Sequence, residues 1–166
     1  MPDTGQTATG DVTKEAEVAA VHARELDGLC FEDMAVGQTA IYSRTVTQSD
    51  IVLFCGISGD TNPVHLDEEY AAQTRFRGTI AHGMLPASFI STVLGTKLPG
   101  PGCIYVSQDC RFKAPVRAGD TVVARATVTA LDGARKRATL HTTCMVGKKV
   151  VVDGEAVVLV RSRADD

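Results

Sequence analysis

From Gly83 to Thr96 the chain reads as one long apolar helix, and everything after it reads as strand. Pro86 is tolerated there because a proline in a first helical turn has no intrahelical bond to lose. Pro99-Gly100-Pro101-Gly102 ends the helix firmly. Ile104 to Val116, Thr121 to Leu131, Arg137 to Val146 and Val150 to Val160 are Val/Thr-rich runs. Asp132-Gly133 and Gly147-Lys148 fall where hairpin turns belong. Upstream, a turn at Asp33 to Gly37 leads into alternation from Gln38 to Thr47. Thr47 then caps a short helix running to Gly59, with Asp50 as the acid at its third position. One strand, helices, then four strands in a meander imply an α+β fold: an antiparallel five-stranded sheet wrapped around a long central helix.

A chain of 166 residues is one domain's worth. That length buries roughly 70% of its unfolded surface, so the core needs no staples. Lys and Arg total 17 against 20 Asp and Glu, which gives no reason to expect nucleic acid or an anionic membrane as partner. The five cysteines are scattered and form no CxxC pair, as expected of reduced thiols in a cytoplasmic protein. No apolar run approaches the roughly eighteen residues of a membrane span. The N-terminus lacks a secretory pattern, and Asp3, Asp11, Glu15 and Glu17 argue against a transit peptide. Residues 1–30 read as an extension, polar and disordered at first and then helical from Val12 to Leu26, with too little apolar surface for a core. The folded domain is expected over residues 31–162.

The chemistry concentrates in Ser58-Gly59-Asp60-Thr61-Asn62-Pro63-Val64-His65 and, further on, Ala81-His82-Gly83-Met84. Pro63 fixes its own φ and pushes Asn62 towards extended geometry. Asp60 and Asn62 favour turns. Asp60 and His65 are therefore expected on a rigid, irregular loop that is not helix. Gly83 stands at a helix start, where backbone N–H groups have no carbonyl partner. A base, an acid and a preformed donor are the parts an enolate-type reaction needs.

These residues carry a resemblance. Gly59-Asp60-Thr61-Asn62-Pro63-Val64-His65-Leu66-Asp67, then Ile80-Ala81-His82-Gly83-Met84-Leu85, resemble the MaoC-like (R)-specific enoyl-CoA hydratases. Leu98-Pro99-Gly100, Phe112-Lys113-Ala114-Pro115-Val116 and Gly119-Asp120 extend the match over about residues 31 to 160. The resemblance implies a hotdog fold, a homodimer with sites near the subunit interface, acyl-CoA thioester substrates, and neither metal nor separate cofactor. It implies that Asp60 and His65 together hold the water added to a trans-2-enoyl thioester. Asp60, already ionised at neutral pH, is expected as base, and His65 as the orienter of the water and donor to Cα. Syn addition would give the (3R)-hydroxyacyl product. The Gly83 N–H would meet the developing charge on the thioester oxygen, glycine suiting a place where substrate approaches the backbone.

Around this centre, Asn62 and Ser91 are supporting candidates. Asn62 could orient the loop or simply make an Asx turn; Ser91 could stand near Asp60 or bond its own helix backbone. His82 is expected to bond neighbouring backbone and is left out of the catalytic set. At helical spacing Gly83, Ala87, Ile90 or Ser91, and Leu94 fall near one face, which makes Leu94 a candidate for the far wall of an acyl pocket or for plain core. Arg111, Lys113 and Arg117, and separately Arg135-Lys136-Arg137, could meet coenzyme A phosphates or be solvated edges and tips. His22 and His141 are expected at the surface without partners. A metal set of His65, Asp67 and His82 fits no ligand spacing and is rejected. Hydration of trans-2-enoyl-CoA, linking fatty-acid metabolism to polyhydroxyalkanoate synthesis, is the leading reading. A (3R)-hydroxyacyl-ACP dehydratase does the same chemistry in reverse. A thioesterase, or a non-catalytic acyl-thioester-binding subunit, would have no need of Asp60, His65 and Gly83 together.

Overall fold

The computed structural model describes residues 25–165, together with Val18 and Val21. His22, the polar start of the chain and most of the helix expected over 12–26 lie outside the described residues. The strands are β1 (Thr39–Thr45), β2 (Ile104–Phe112), β3 (Thr121–Asp132), β4 (Arg137–Val146) and β5 (Lys149–Leu159). The helices are α1 (Gln48–Ser58), α2 (Pro63–Leu66), α3 (Glu68–Ala72) and α4 (Met84–Thr96). No helix among the described residues is long and apolar enough to cross a membrane.

All five strands form one antiparallel sheet in the order β1-β3-β4-β5-β2. The expected four-strand meander is thus corrected: only β3, β4 and β5 follow one another through hairpins, whereas β2 sits on the far edge beside β5. The reason is α4, which intervenes between β1 and β2 and carries the chain across the sheet's face. At the β4/β5 turn Gly147 has φ 55°, the left-handed conformation a two-residue hairpin demands.

Alternation sets the register. Val122, Ala124, Ala126 and Val128 on β3 are buried, as are Ala138, Leu140, Thr142 and Cys144 on β4 and Val152, Ala156 and Val158 on β5. Their neighbours in sequence are less buried, as a period of two requires, except Val151, which is buried beside Val152 where the β4/β5 register shifts. Onto the inner face α4 lowers Leu85, Phe89, Ile90, Val93 and Leu94. The alanines at 124, 126, 138 and 156 leave room for the helix to approach the sheet at close-packed density. Each large side chain removed from water there contributes ~1.5–3 kcal/mol. The helix therefore has a fixed axis, and its N-terminus a fixed position.

The expected capping of α1 is present. The Thr47 side chain accepts from Asp50 N, and the Asp50 carboxylate accepts from Thr47 N at 2.8 Å. Gly59 closes that helix at φ 74°, a conformation a side chain would strain.

Candidate active site

Between α1 and α4 lies a segment with its own small apolar cluster: Val64, Ala71 and Ile80, with Phe76 against them. Here the structure corrects the loop expected from sequence, because Pro63–Leu66 is a turn of helix. Pro63 occupies its first turn, and the Asn62 side chain accepts from Val64 N at 3.2 Å. The residues that signal a turn, Asn before Pro, are also those that cap and start a helix. His65 is consequently buried on α2 and not on an irregular loop, while the Asp60 side chain is half exposed.

The two side chains are aimed at one another. The backbone N–H of Asn62 donates to Asp60 Oδ1 at 3.2 Å, which turns Oδ2 towards His65. His65 Nδ1 lies 2.8 Å from the Ile80 carbonyl. A carbonyl only accepts, so Nδ1 carries the proton and the neutral ring offers a lone pair at Nε2. That Nε2 is 3.9 Å from Asp60 Oδ2. This is longer than a direct charge-assisted hydrogen bond, and one water oxygen can bond both atoms.

His82 does more than sequence reasoning expected. It is buried, and its Nε2 donates to the Asp60 backbone carbonyl at 2.9 Å. Its ring stacks on that of His65, centroids 3.7 Å apart at 28°. Cys55 Sγ on α1 lies 3.6 Å from the same Nε2. His82 thus touches both halves of the pair, through a carbonyl 22 residues upstream that no local motif reveals. Asp60, His65 and His82 each place one potential ligand atom within 4.8 Å of the others. The trio rejected on spacing contained Asp67 instead, and that carboxylate is spent capping α3, accepting from Tyr70 N at 2.9 Å. Which three groups meet is decided by the fold and not by sequence spacing.

Gly83 is the N-cap of α4, and among the described residues neither its N–H nor that of Met84 is claimed by a carbonyl. Its φ of −57° is open to any residue. A Cβ there would come within 2.9 Å of the Phe112 ring, so the glycine answers to Phe112, a contact invisible in the sequence. Gly83, His82, Met84 and Phe112 line a cleft of about 390 Å³ together with Arg75 and Lys113.

The remaining candidates are distributed as follows. Leu94 is 1% exposed in the core and does not line the cleft. Ser91 is exposed, off the face that carries Ala87, Ile90 and Leu94, and among the described residues its hydroxyl has no hydrogen-bond partner, unlike Ser88, which bonds Leu85 O. Arg117 is structural: its guanidinium donates to the Thr79 carbonyl at 2.7 Å and to that of Phe76. Arg111 pairs with Asp109 at 3.3 Å, and Arg135 with Asp132 at 3.7 Å. Lys136 pairs with Glu32 at 3.1 Å. His141 is exposed but not partnerless, since its Nε2 bonds Asp153 Oδ1 at 2.9 Å. The five cysteines are free thiols, and burial pushes that of Cys144 up to about 12.

The chain is similar to known proteins in sequence and in fold. The chain is 58% identical over 133 residues to an (R)-specific enoyl-CoA hydratase of Rhodospirillum rubrum, covering 80% of this chain and 92% of that protein. It is 50% identical over 141 residues to a 3-hydroxybutyryl-CoA dehydratase of Methylorubrum extorquens, covering 85% and 90%. The solved (R)-hydratase of Aeromonas caviae, involved in polyhydroxyalkanoate biosynthesis, superposes with a TM-score of 0.75 at 44% identity, over 78% of this chain and 98% of that one. Its likeness in fold confirms the expected hotdog architecture. The model of the MaoC like domain matches residues 33–152, a span that holds Asp60, His65, His82 and Gly83 on a single framework, and the chain belongs to that family.

Proposed function

We propose that this protein hydrates trans-2-enoyl-CoA to (3R)-hydroxyacyl-CoA, and catalyses the reverse dehydration. The observation that carries the reading is the 3.9 Å gap between Asp60 Oδ2 and His65 Nε2, beside a cleft that reaches the unclaimed N–H of Gly83. A water in the gap donates one proton to each acceptor. With the enoyl thioester in the cleft, the water oxygen bonds Cβ and the π electrons move towards the carbonyl. The oxygen becomes an enolate, which the Gly83 N–H at the positive end of α4 stabilises. One water proton leaves to the pair, and one proton returns from the pair to Cα. The product has gained one OH and one H, and both side chains end as they began.

The Ile80 bond bears on how the pair shares this work. Neutral His65 has its proton at Nδ1 and must take one at Nε2 before it can give one. The ring then passes through an imidazolium, supported by the Ile80 carbonyl on one side and the Asp60 carboxylate on the other. This moves the proton relay towards His65 and leaves Asp60 to orient the water and balance the charge. Attack and protonation from one side favour syn addition and the (3R) configuration.

A second copy of the chain fits the same reading. β2 is an edge strand with Ile104 and Phe112 more than half exposed and Val106 exposed as well, and an apolar edge of this kind is normally covered. The exposed Ser91 hydroxyl is open to whatever covers that side of α4. The test of function is the loss of the enoyl absorbance of crotonyl-CoA with purified protein. Parallel turnover of the carrier-protein thioester identifies the preferred carrier, and light scattering gives the oligomeric state. No hydration of either thioester would reject the proposal.

A further inference from the structure

Two cations on the rim of the cleft have no part in the water chemistry. Arg75, beyond α3, and Lys113, just past β2, both line the cleft and are both exposed. Among the described residues neither has a carboxylate within ion-pair distance, whereas Arg111 is paired with Asp109, and Arg117 is spent on the Thr79 and Phe76 carbonyls. Asp153 feels Lys113 through space but gives its carboxylate to His141, at 2.9 Å. Neither cation is neutralised, and the Arg75 side chain and the Lys113 backbone are each anchored beside the cleft. The Arg75 guanidinium lies 5.2 Å from the centroid of the Phe76 ring, itself part of the cleft wall. The Lys113 N–H donates to the Val151 carbonyl at 2.9 Å, which anchors its backbone beside the cleft. On a chain of net charge −3 this is a local reversal of sign at the entrance to one site.

We propose that Arg75 and Lys113 form a subsite for the phosphate of the thioester's carrier arm. The inference rests on the hydratase reading and adds to it what holds the end of the substrate remote from the reaction. Coenzyme A and a carrier-protein pantetheine arm share that chemistry, since each bears phosphate ester beyond the pantetheine. A guanidinium fork and an ammonium are the two side chains suited to it. Sequence alone singled out Lys113 but passed over Arg75, which no motif marks.

The test uses the double variant Arg75→Gln, Lys113→Gln beside the wild type, on crotonyl-CoA, crotonyl-ACP and crotonyl-N-acetylcysteamine, the last without phosphate. The expected result is a rise of about tenfold in KM for crotonyl-CoA, the scale of losing charged hydrogen bonds. kcat should stay within about twofold, as loss of uniform binding requires, and kcat/KM on the phosphate-free thioester should not move. Added salt should lower kcat/KM of the wild type on crotonyl-CoA and barely affect the variant. A loss on both carriers assigns the phosphate next to the pantetheine, and a loss on crotonyl-CoA alone assigns the nucleotide phosphates. An unchanged KM on both carriers, or an equal loss on all three substrates, overturns the subsite. Wild type inactive on all three would be a failure of the hydratase reading instead. Calorimetric titration of coenzyme A into both proteins then decides the subsite by itself: binding about tenfold weaker in the variant supports it, and equal binding overturns it.

Discussion

The sheet with α4, and the segment from Gly59 to His82, are held by different forces. The first is almost wholly apolar inside: Ile90, Val93, Leu94, Leu140 and Val158 lie at 0–1% exposure, Thr142 is a buried polar exception, and among the described residues no charged side chain is buried with them. The second has a thin apolar cluster and is fixed by polar atoms: Asn62 on Val64 N, His65 on the Ile80 carbonyl, His82 on the Asp60 carbonyl, Arg117 on the Thr79 and Phe76 carbonyls. Burial is non-directional and adds up over area, so the framework can absorb small changes of shape. Hydrogen bonds are directional, and a buried group that loses its partner costs more than the bond was worth. The catalytic atoms belong to the region where geometry is set by direction. Damage to the two regions should therefore separate, the framework losing stability and the segment losing rate.

The largest separation is expected at the pair itself. Asp60→Asn keeps the shape and the Asn62 contact, yet should lower kcat at least ~10²-fold, the low end of positioned acid–base catalysis, with melting temperature nearly unchanged. His65→Ala should do comparable damage. Combining them should fall far short of the product of the two losses, because both hold one water. Steady-state kinetics on crotonyl-CoA give the answer, and multiplying losses would contradict a shared water.

The converse case is Leu140→Ala on β4, outside the Gly59–His82 segment and completely buried. Its expected cost is ~2–5 kcal/mol of stability, with kcat per folded molecule unchanged. Leu94→Ala tests whether framework and pocket meet. It should cost a similar ~2–5 kcal/mol, and the apolar space left between α4 and the sheet is of the kind that accepts an apolar guest. If the acyl chain follows α4 from Gly83, kcat/KM should shift in favour of eight-carbon over four-carbon enoyl-CoA by ~10-fold or more. An unchanged ratio with a lowered melting temperature makes Leu94 core alone.

The same contrast decides what could be read from the sequence. The buried alternation of β3, β4 and β5 is local, so those strands and their hairpins are legible residue by residue. So is α4, bounded by Gly83 and Pro99. The place of β2 is not, because which edge it joins depends on how the chain crosses α4. Asp60, His65 and Gly83 are marked by motif, but what aims them is long-range: Ile80 for His65, the Asp60 carbonyl for His82, Phe112 for Gly83. Backbone carbonyls leave no trace in a sequence, and Arg117, which meets two of them, looks like any surface arginine.

Arg117→Met should therefore behave like neither region's extreme. It strands the Thr79 and Phe76 carbonyls, at a cost of about 1–3 kcal/mol. Ile80 follows Thr79 directly and holds the His65 ring, so kcat should fall severalfold alongside the stability loss. Chemical denaturation and kinetics on the same preparation check both. A stability loss with full kcat would mean that the segment's polar ties do not align the pair.

The smallest effect lies at the edge of the framework, where polar contacts join the two ends of the domain. Glu32 accepts from Ser162 Oγ at 2.6 Å, from Arg163 N at 3.1 Å and from Lys136 Nζ at 3.1 Å. These donors, Ser162 first, hold its carboxyl down from 4.5 to about 2. A carboxylate that is depressed in the folded state binds a proton more readily in the unfolded chain. Its stabilisation is thus complete above the unfolded value of 4.5 and fades as pH falls from there through about 2. Glu32→Gln keeps an acceptor oxygen and removes the charge. Above pH 5 the variant should melt slightly below the wild type, and the gap should close as the pH falls from about 4.5 towards 2. Added salt should narrow the gap too, since the Glu32 side chain is 34% exposed and its pairing with Lys136 is screened. Melting curves of both proteins across that range decide it. A gap independent of pH would place the contribution of Glu32 in packing and neutral hydrogen bonds, and the two ends of the domain would then be joined, like the Gly59–His82 segment, by direction more than by charge.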